Sequence, residues 1–313
     1  MLRLQRGLRL LAIGLAFTVT SHAVADDATL RLGYPSGMNG QVPVVLQKTG
    51  IAETHNLKVE FHAFQYGPPM MEGLVSGQLD AVVTSFLPPL SLSARAPGTV
   101  KFIATLGQSS HSLLVPKTSA ATALSDLKGQ KIGVSFNSES HLDLLLALKD
   151  LSLDPAKDVE LVNLQPNELP AALEKELVAG VIIRQPQTLR LEESLGAKRL
   201  QTWPFRFTSI VRTEYLEKNP DAVKRYVEAL KDTVHYIATN PDQSATWFAE
   251  ALRIDPQVVK KLATENPLYG VTSRDEINIE IGDEFKKELA ERLKAALEYN
   301  IVKSDVEAAS LTQ

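Results

Sequence analysis

The sequence predicts a two-lobed α/β protein with a helical C-terminal tail, and three observations carry that prediction. Short β-rich runs alternate with amphipathic runs from residue 29 onward, the alternation restarts after residue 115, and only helical patterns remain beyond residue 213. At 313 residues the chain also exceeds the size, about 250–300 residues, at which one core stops growing.

In the first lobe, 30–34 alternates as a strand, 35–40 is a loop and 42–48 a short helix. Residues 58–64 alternate strictly, as a half-buried strand does. Gly67-Pro68-Pro69 opens a helix reaching residue 76, with proline where a first turn tolerates a missing N–H, and Gly77 ends it. A strand at 79–84, a helix at 88–96 and a strand at 100–106 complete the set. The second lobe starts at 113–115. Its strands are expected at 131–134, 159–164 and 178–183, with helices at 140–151, 169–176 and 187–195, then strand-like runs at 199–203 and 208–211. In the tail, Asn219-Pro220, Asn240-Pro241 and Asn266-Pro267 punctuate the helices. Val223, Val227, Leu230, Val234 and Ile237 form one helical face that needs a surface to pack on, the nearest being an edge of the first lobe. The expected division is therefore 26–113 for lobe 1, 114–211 for lobe 2 and 212–313 for the return to lobe 1. The two crossings are expected near 114–117 and 209–213.

Composition narrows the function classes. The chain is 44% hydrophobic and 22% charged, which excludes collagen-like and wholly disordered types. A net charge of −4 without a Lys/Arg block argues against nucleic-acid partners. With no cysteine there is no disulfide, thiolate nucleophile or cysteine-based metal site. Residues 1–25 read as a secretory signal: Arg3, Arg6 and Arg9 precede an apolar run at 10–19, and Ala23-Val24-Ala25 offers small residues for cleavage before Asp26. Cleavage removes three arginines and no acid, taking the charge from −4 to −7.

Leu74-Val75-Ser76-Gly77-Gln78-Leu79-Asp80, followed by Thr84-Ser85-Phe86-Leu87-Pro88, resembles the extracytoplasmic solute-binding proteins of sulfonate, nitrate and taurine ABC importers. Tyr34 with its Gly-containing loop, Gly67-Pro68-Pro69, Leu114-Val115-Pro116-Lys117, the run from Asp126 to Val134, Ser140-His141 and Asn240-Pro241 fit the same family in the same order. The resemblance implies a type II periplasmic binding protein fold with a ligand cleft between the lobes. One departure bears on the ligand. Where the family's second lobe ends a strand in Trp, an acid and Pro, this chain has Arg184-Gln185-Pro186.

In a two-lobed α/β protein, ligands sit at the carboxyl ends of strands, facing the cleft. Five loops are expected there: 36–40, 66–69, 85–88, 137–141 and 184–186. Their candidate ligand contacts are Met38, Asn39, Tyr66, Pro69, Ser85, Phe86, Leu87, Ser138, Ser140, His141, Arg184 and Gln185. Helix N-termini converging on one point would supply amides and partial positive charge for an anion. Two roles are open to Ser140: gripping an oxyanion, or capping its helix in a box with Asp143. Glu139 opposes a strongly anionic ligand unless it turns to solvent. Met38, Met70, Met71 and Phe86 suit an apolar wall, although Met71 and Phe86 suit ordinary core packing equally. His62, His111 and His141 read as structural residues without metal spacing.

No Gly-x-Ser-x-Gly elbow, Walker loop or Gly-x-Gly-x-x-Gly occurs, so neither an enzyme nor a cofactor is expected. The expectation is a monomeric periplasmic substrate-binding component that captures a small organic anion, sulfonate-like, and delivers it to the transmembrane subunits of an ABC permease. A neutral pyrimidine- or amidine-like ligand, or a ligand-loaded partner of a membrane sensor, are the alternatives.

Overall fold

The computed structural model describes residues 29–304 and 306–312, so the expected leader at 1–25 lies outside the described residues. In chain order the elements are β1 (Leu30–Pro35), α1 (Gln41–Thr49), α2 (Ile51–Thr54), β2 (Val59–Phe64), α3 (Gly67–Val75), β3 (Ala81–Thr84), α4 (Leu87–Arg95) and β4 (Val100–Val115). Next come β5 (Lys131–Val134), α5 (Glu139–Asp150), β6 (Glu160–Asn163), α6 (Leu169–Glu174), β7 (Gly180–Arg184), α7 (Gln187–Leu195) and β8 (Lys198–Arg212). The tail adds α8 (Thr213–Lys218), α9 (Pro220–Thr239), α10 (Pro241–Leu252), α11 (Pro256–Ala263) and α12 (Asp283–Glu298).

The strands run in the order β2-β1-β3-β8-β4-β7-β5-β6. At one end β1 pairs parallel with β2 and β3, and at the other β5 pairs parallel with β6 and β7, helices connecting β1 to β2, β2 to β3, β5 to β6 and β6 to β7. Between them β4 and β8 pair antiparallel along nearly their whole lengths. The runs read as separate strands at 100–106, 113–115, 199–203 and 208–211 are thus two continuous strands. The Thr208–Val211 part of β8 pairs with β3, whereas His111–Leu114 of β4 pairs with β7. The middle of β4, Gly107-Gln108-Ser109-Ser110-His111-Ser112, has no apolar alternation to announce a strand. It is held extended by the ladder beside it, a tertiary effect that outweighs local preference.

Alternation along the strands splits the core. In β3, Ala81 and Val83 face Leu32, Val42, Tyr226 and Phe248, while Val82 faces Leu74, Phe102 and Phe285 on the other side. In β7, Ile182 joins Leu113, Val134 and Leu148, while Val181 and Ile183 join Leu114, Leu169 and Leu173. Val223, Leu230, Val234 and Ile237 of α9 are buried in the first of these clusters, against β1 and α1, with Val227 partly buried beside them. Helix α12 takes the opposite face, placing Phe285, Leu289 and Leu293 beside α4.

The Leu74-to-Asp80 motif has a structural reason. Gly77 ends α3 at φ +71°, a conformation in which glycine carries no side-chain penalty. The turn delivers Asp80, 1% exposed, between β1 and β8. Its carboxylate accepts from Arg31 N, Arg31 Nε and Nη2, and Arg212 Nη2, at 2.7–3.1 Å.

Candidate functional site

The carboxyl ends of β1, β2, β5 and β7 open onto a cleft holding about 490 Å³ of space, part of it open to solvent. Ser36, Gly37, Gln65 and Tyr66 line it from one side. Ser135, Ser138, Ser140, Ile182, Arg184, Gln185 and Gln187 are among the residues lining it from the other. The main chain closes across it, Met38 N donating to Gln185 O at 3.4 Å.

Of the expected contacts, Tyr66, Ser138, Ser140, Arg184 and Gln185 come together in this cleft. Asn39 lies directly behind it. A Cβ built on Gly37 would stand 3.0 Å from Asn39 Oδ1 and 3.9 Å from Arg184 Cδ, and both ends of the buried Asn39 amide lack a protein partner. Ser85 is buried with its hydroxyl also unpartnered, and it is not among the residues lining the cleft. Pro69 is exposed and lines a neighbouring shallow depression with Tyr66. Met38 is 3% exposed and packs in the core beneath the loop. Phe86 packs edge-on to Phe102 and Phe285, centroids 6.1 and 4.9 Å away, so its ring belongs to the core. Leu87 is buried in the same cluster.

Helix ends contribute less than expected, because α3 and α4 both start with a residue followed by two prolines. Pro68, Pro69, Pro88 and Pro89 carry no N–H, which leaves Leu87 as the donor in the first three positions of α4. Leu87 N donates to Glu139 Oε2 at 2.9 Å. Helix α5 keeps its first amides and opens on the cleft, with Ser138 as its N-cap residue. Ser138 Oγ donates to Ser135 O, and no side chain caps α5, so the box of Ser140 with Asp143 does not form.

Arg184 ends β7 with its guanidinium 4.9 Å from the Phe205 ring centroid, a cation–π contact. Burial pushes the guanidinium down, and Glu139 and Asp143 favour its charged form in opposition. No ion pair within 4.0 Å holds it among the described residues, and its Nη2 has no hydrogen-bond partner. A surface salt bridge to a neighbouring acid such as Glu139 or Glu168, the alternative to a ligand-binding role for this cation, is therefore not made.

Behind Arg184 lies a buried set of charges that no sequence spacing announces. His111 Nε2 is 2.9 Å from Asp143 Oδ2. Arg292 of α12 bonds Asp143 Oδ1 through Nη1 and stands 3.6 Å from Glu139 Oε1 through Nε. Burial alone would raise Asp143, but His111 and Arg292 hold it below the usual carboxylate range. Burial pushes Glu139 up. Glu139 does not turn to solvent: it is 1% exposed and faces α4 and Arg292. Asp143 and Glu139 stand one helical turn apart on α5, but Arg292 comes from a tail helix and His111 from a strand. Only the fold assembles them.

His141 stacks on Phe136 at 4.4 Å and 8°, and its Nδ1 faces Asn137 N at 3.4 Å. Burial pushes its pKa down to about 4, so it is neutral at pH 7. Its depressed folded pKa means the unfolded chain binds the proton first. Stability is therefore complete above about pH 6.5 and falls as pH drops towards 4, with about 2 kcal/mol lost at pH 5 from this group. His111 is lowered in the same direction by burial, whereas the raised Glu139 opposes the trend. Denaturant titrations at pH 7 and pH 5 should show the loss, and His141→Asn should remove most of its own share. An equal loss in the variant would exclude His141 as a source.

The fold is that of the two-lobed periplasmic binding proteins of type II, with a cleft between the lobes and a helical tail. The chain belongs to the NMT1-like family, whose pattern it matches over residues 23–252. It is 29% identical over 237 residues to the taurine-binding periplasmic protein of Escherichia coli, covering 72% of this chain and 68% of that protein. The alkanesulfonate-binding protein SsuA of Xanthomonas axonopodis, solved with MOPS bound, has the same fold. It superposes with a TM-score of 0.80 at 20% identity, covering 91% of this chain and 98% of that one. The aliphatic sulphonate binding protein SsuA of Escherichia coli gives 0.76 at 21% identity, covering 90% and 91%. Among the described residues no helix is long and apolar enough to cross a membrane.

Proposed function

We propose that this protein is the periplasmic binding component of an ABC importer, capturing a small organic anion of sulfonate type in the cleft and delivering it to the permease. The observation that carries the reading is the partly buried Arg184, whose Nη2 is buried and without a partner. It lines the cleft beside Ser140 and the open amino end of α5, whose Ser138 hydroxyl is held by Ser135 O. A buried donor without an acceptor costs about 1–3 kcal/mol, more when charged, and an oxyanion at this point removes that cost. The names of the relatives, taurine- and sulfonate-binding, support the same class of ligand.

In this reading Asn39, with unmet hydrogen-bonding capacity, contacts the ligand's polar remainder, and Tyr66 and Gln185 close over it. His141 sets the loop by stacking on Phe136. Closure pivots on β4 and β8, the two strands common to both halves of the sheet. Their register shifts between Thr105 and Gln108 and again between Leu113 and Leu114, the second beside the expected crossing at 114–117, and both support bending along this pair. Ethanesulfonate titrated into the mature protein should release heat with a dissociation constant of roughly micromolar order, about −8 kcal/mol. It should also lower the radius of gyration by small-angle scattering without changing secondary structure. Absence of binding would overturn the anion reading, and binding at constant radius would overturn closure.

A further inference from the structure

Glu139 stands between Ser138 and Ser140, both of which line the cleft, yet its own side chain turns inward and is 1% exposed. There it does what a bound anion does. One carboxylate oxygen takes the Leu87 N–H at 2.9 Å, the donor the prolines leave in the first three positions of α4, and the other lies 3.6 Å from Arg292 Nε without a hydrogen bond of its own. A helix-start amide and a guanidinium together form an anion position, and the chain has supplied its own occupant.

We propose that Glu139 is the cleft's built-in anion, a specificity-determining residue that fills the position at α4 and Arg292 and leaves Arg184 to take the one anionic group of the ligand. The consequence for selectivity rests on the anionic-ligand reading; occupation of the position by Glu139 does not. A monoanion meets Arg184 and the amino end of α5. For a ligand with two anionic groups the position at α4 and Arg292 is already taken, so its second group finds no free donor there and faces a like charge behind the wall of the cleft.

Glu139→Ala vacates the position, leaving Leu87 N–H without its acceptor and Arg292 with Asp143 as its remaining carboxylate. Formate then has a place to bind, whereas chloride is a poor geometric substitute for a carboxylate. In thermal melts of the intact mature protein at matched ionic strength, tens of millimolar formate in place of chloride should raise the melting temperature of the variant by about 3 °C and that of the parent by less than about 1 °C. If Glu139→Ala does not fold in chloride, recovery of folded protein on refolding in formate is the same readout. Equal response of variant and parent, or failure to fold in either salt, overturns the proposal. In the second arm, the ratio of 1,2-ethanedisulfonate affinity to ethanesulfonate affinity should rise at least about tenfold from parent to variant. A formate response without that gain overturns the selectivity role. A parent that binds neither sulfonate overturns the anionic-ligand reading, and the formate arm still decides whether Glu139 fills an anion position.

Discussion

Arg184→Ala should lower affinity for the natural ligand at least about thirtyfold while moving the melting temperature of the empty protein little. The two halves of that expectation come from the same geometry. The guanidinium is buried over Phe205, and no carboxylate lies within ion-pairing distance among the described residues, so the empty protein loses a cation–π contact and is relieved of an unmet donor. The liganded protein loses a desolvated, charge-assisted pair, worth roughly 2–5 kcal/mol. Isothermal calorimetry and a thermal melt on the one variant measure both. Unchanged affinity would remove Arg184 from the site. A collapse of stability in the empty protein would show that Glu139 and Asp143, which favour its charge, depend on it.

Asp80→Ala should be the most damaging single change outside the cleft, at about 3–5 kcal/mol or a fall in melting temperature of about 10 °C. Asp80 is 1% exposed and satisfies Arg31, Arg212 and a main-chain N–H at once, tying β1, β3 and β8 together. Without it two guanidinium groups stand beside a buried void with one acceptor fewer each. Burial raises the carboxyl, but Arg31 and Arg212 outweigh it and hold the pKa below the ordinary value of 3.8. Its stabilisation is therefore complete above that pH and lost only as pH falls through the depressed folded value. Denaturant unfolding at pH 7 gives the magnitude. A loss below about 1 kcal/mol would mean the arginines find other acceptors.

The short elements were legible because each carries its own signal. Strand 131–134 is bounded as read, helix 187–195 likewise, and Gly77 stops α3 where its positive φ is needed. The Arg184-Gln185 departure also pointed to the cleft, where the structure places both residues. Other residues misled for physical reasons. Met38 sits in a loop of glycine and asparagine, which suggests exposure, but the short turn tucks its side chain into the core. Phe86 stands at a helix start in the right loop, yet an aromatic ring there gains more from Phe102 and Phe285 than from the cleft. Glu139 could be read only as a charge near the site. Its partner Arg292 is separated from it by most of the second lobe and the tail.

What the sequence by itself determined is the class: alternating periodicities, turn residues and the order of its motifs specify two α/β units and a helical tail, because those signals act within a few residues of one another. The tertiary structure alone decided the chemistry of the cleft. Which buried charge is paired depends on elements that meet only after folding: α12 bringing Arg292 to α5, β4 bringing His111 to Asp143, β8 bringing Phe205 beneath Arg184. Desolvation makes such meetings decisive, since a carboxylate or guanidinium removed from water takes its state from the few groups within reach, and sequence distance carries no record of which those are.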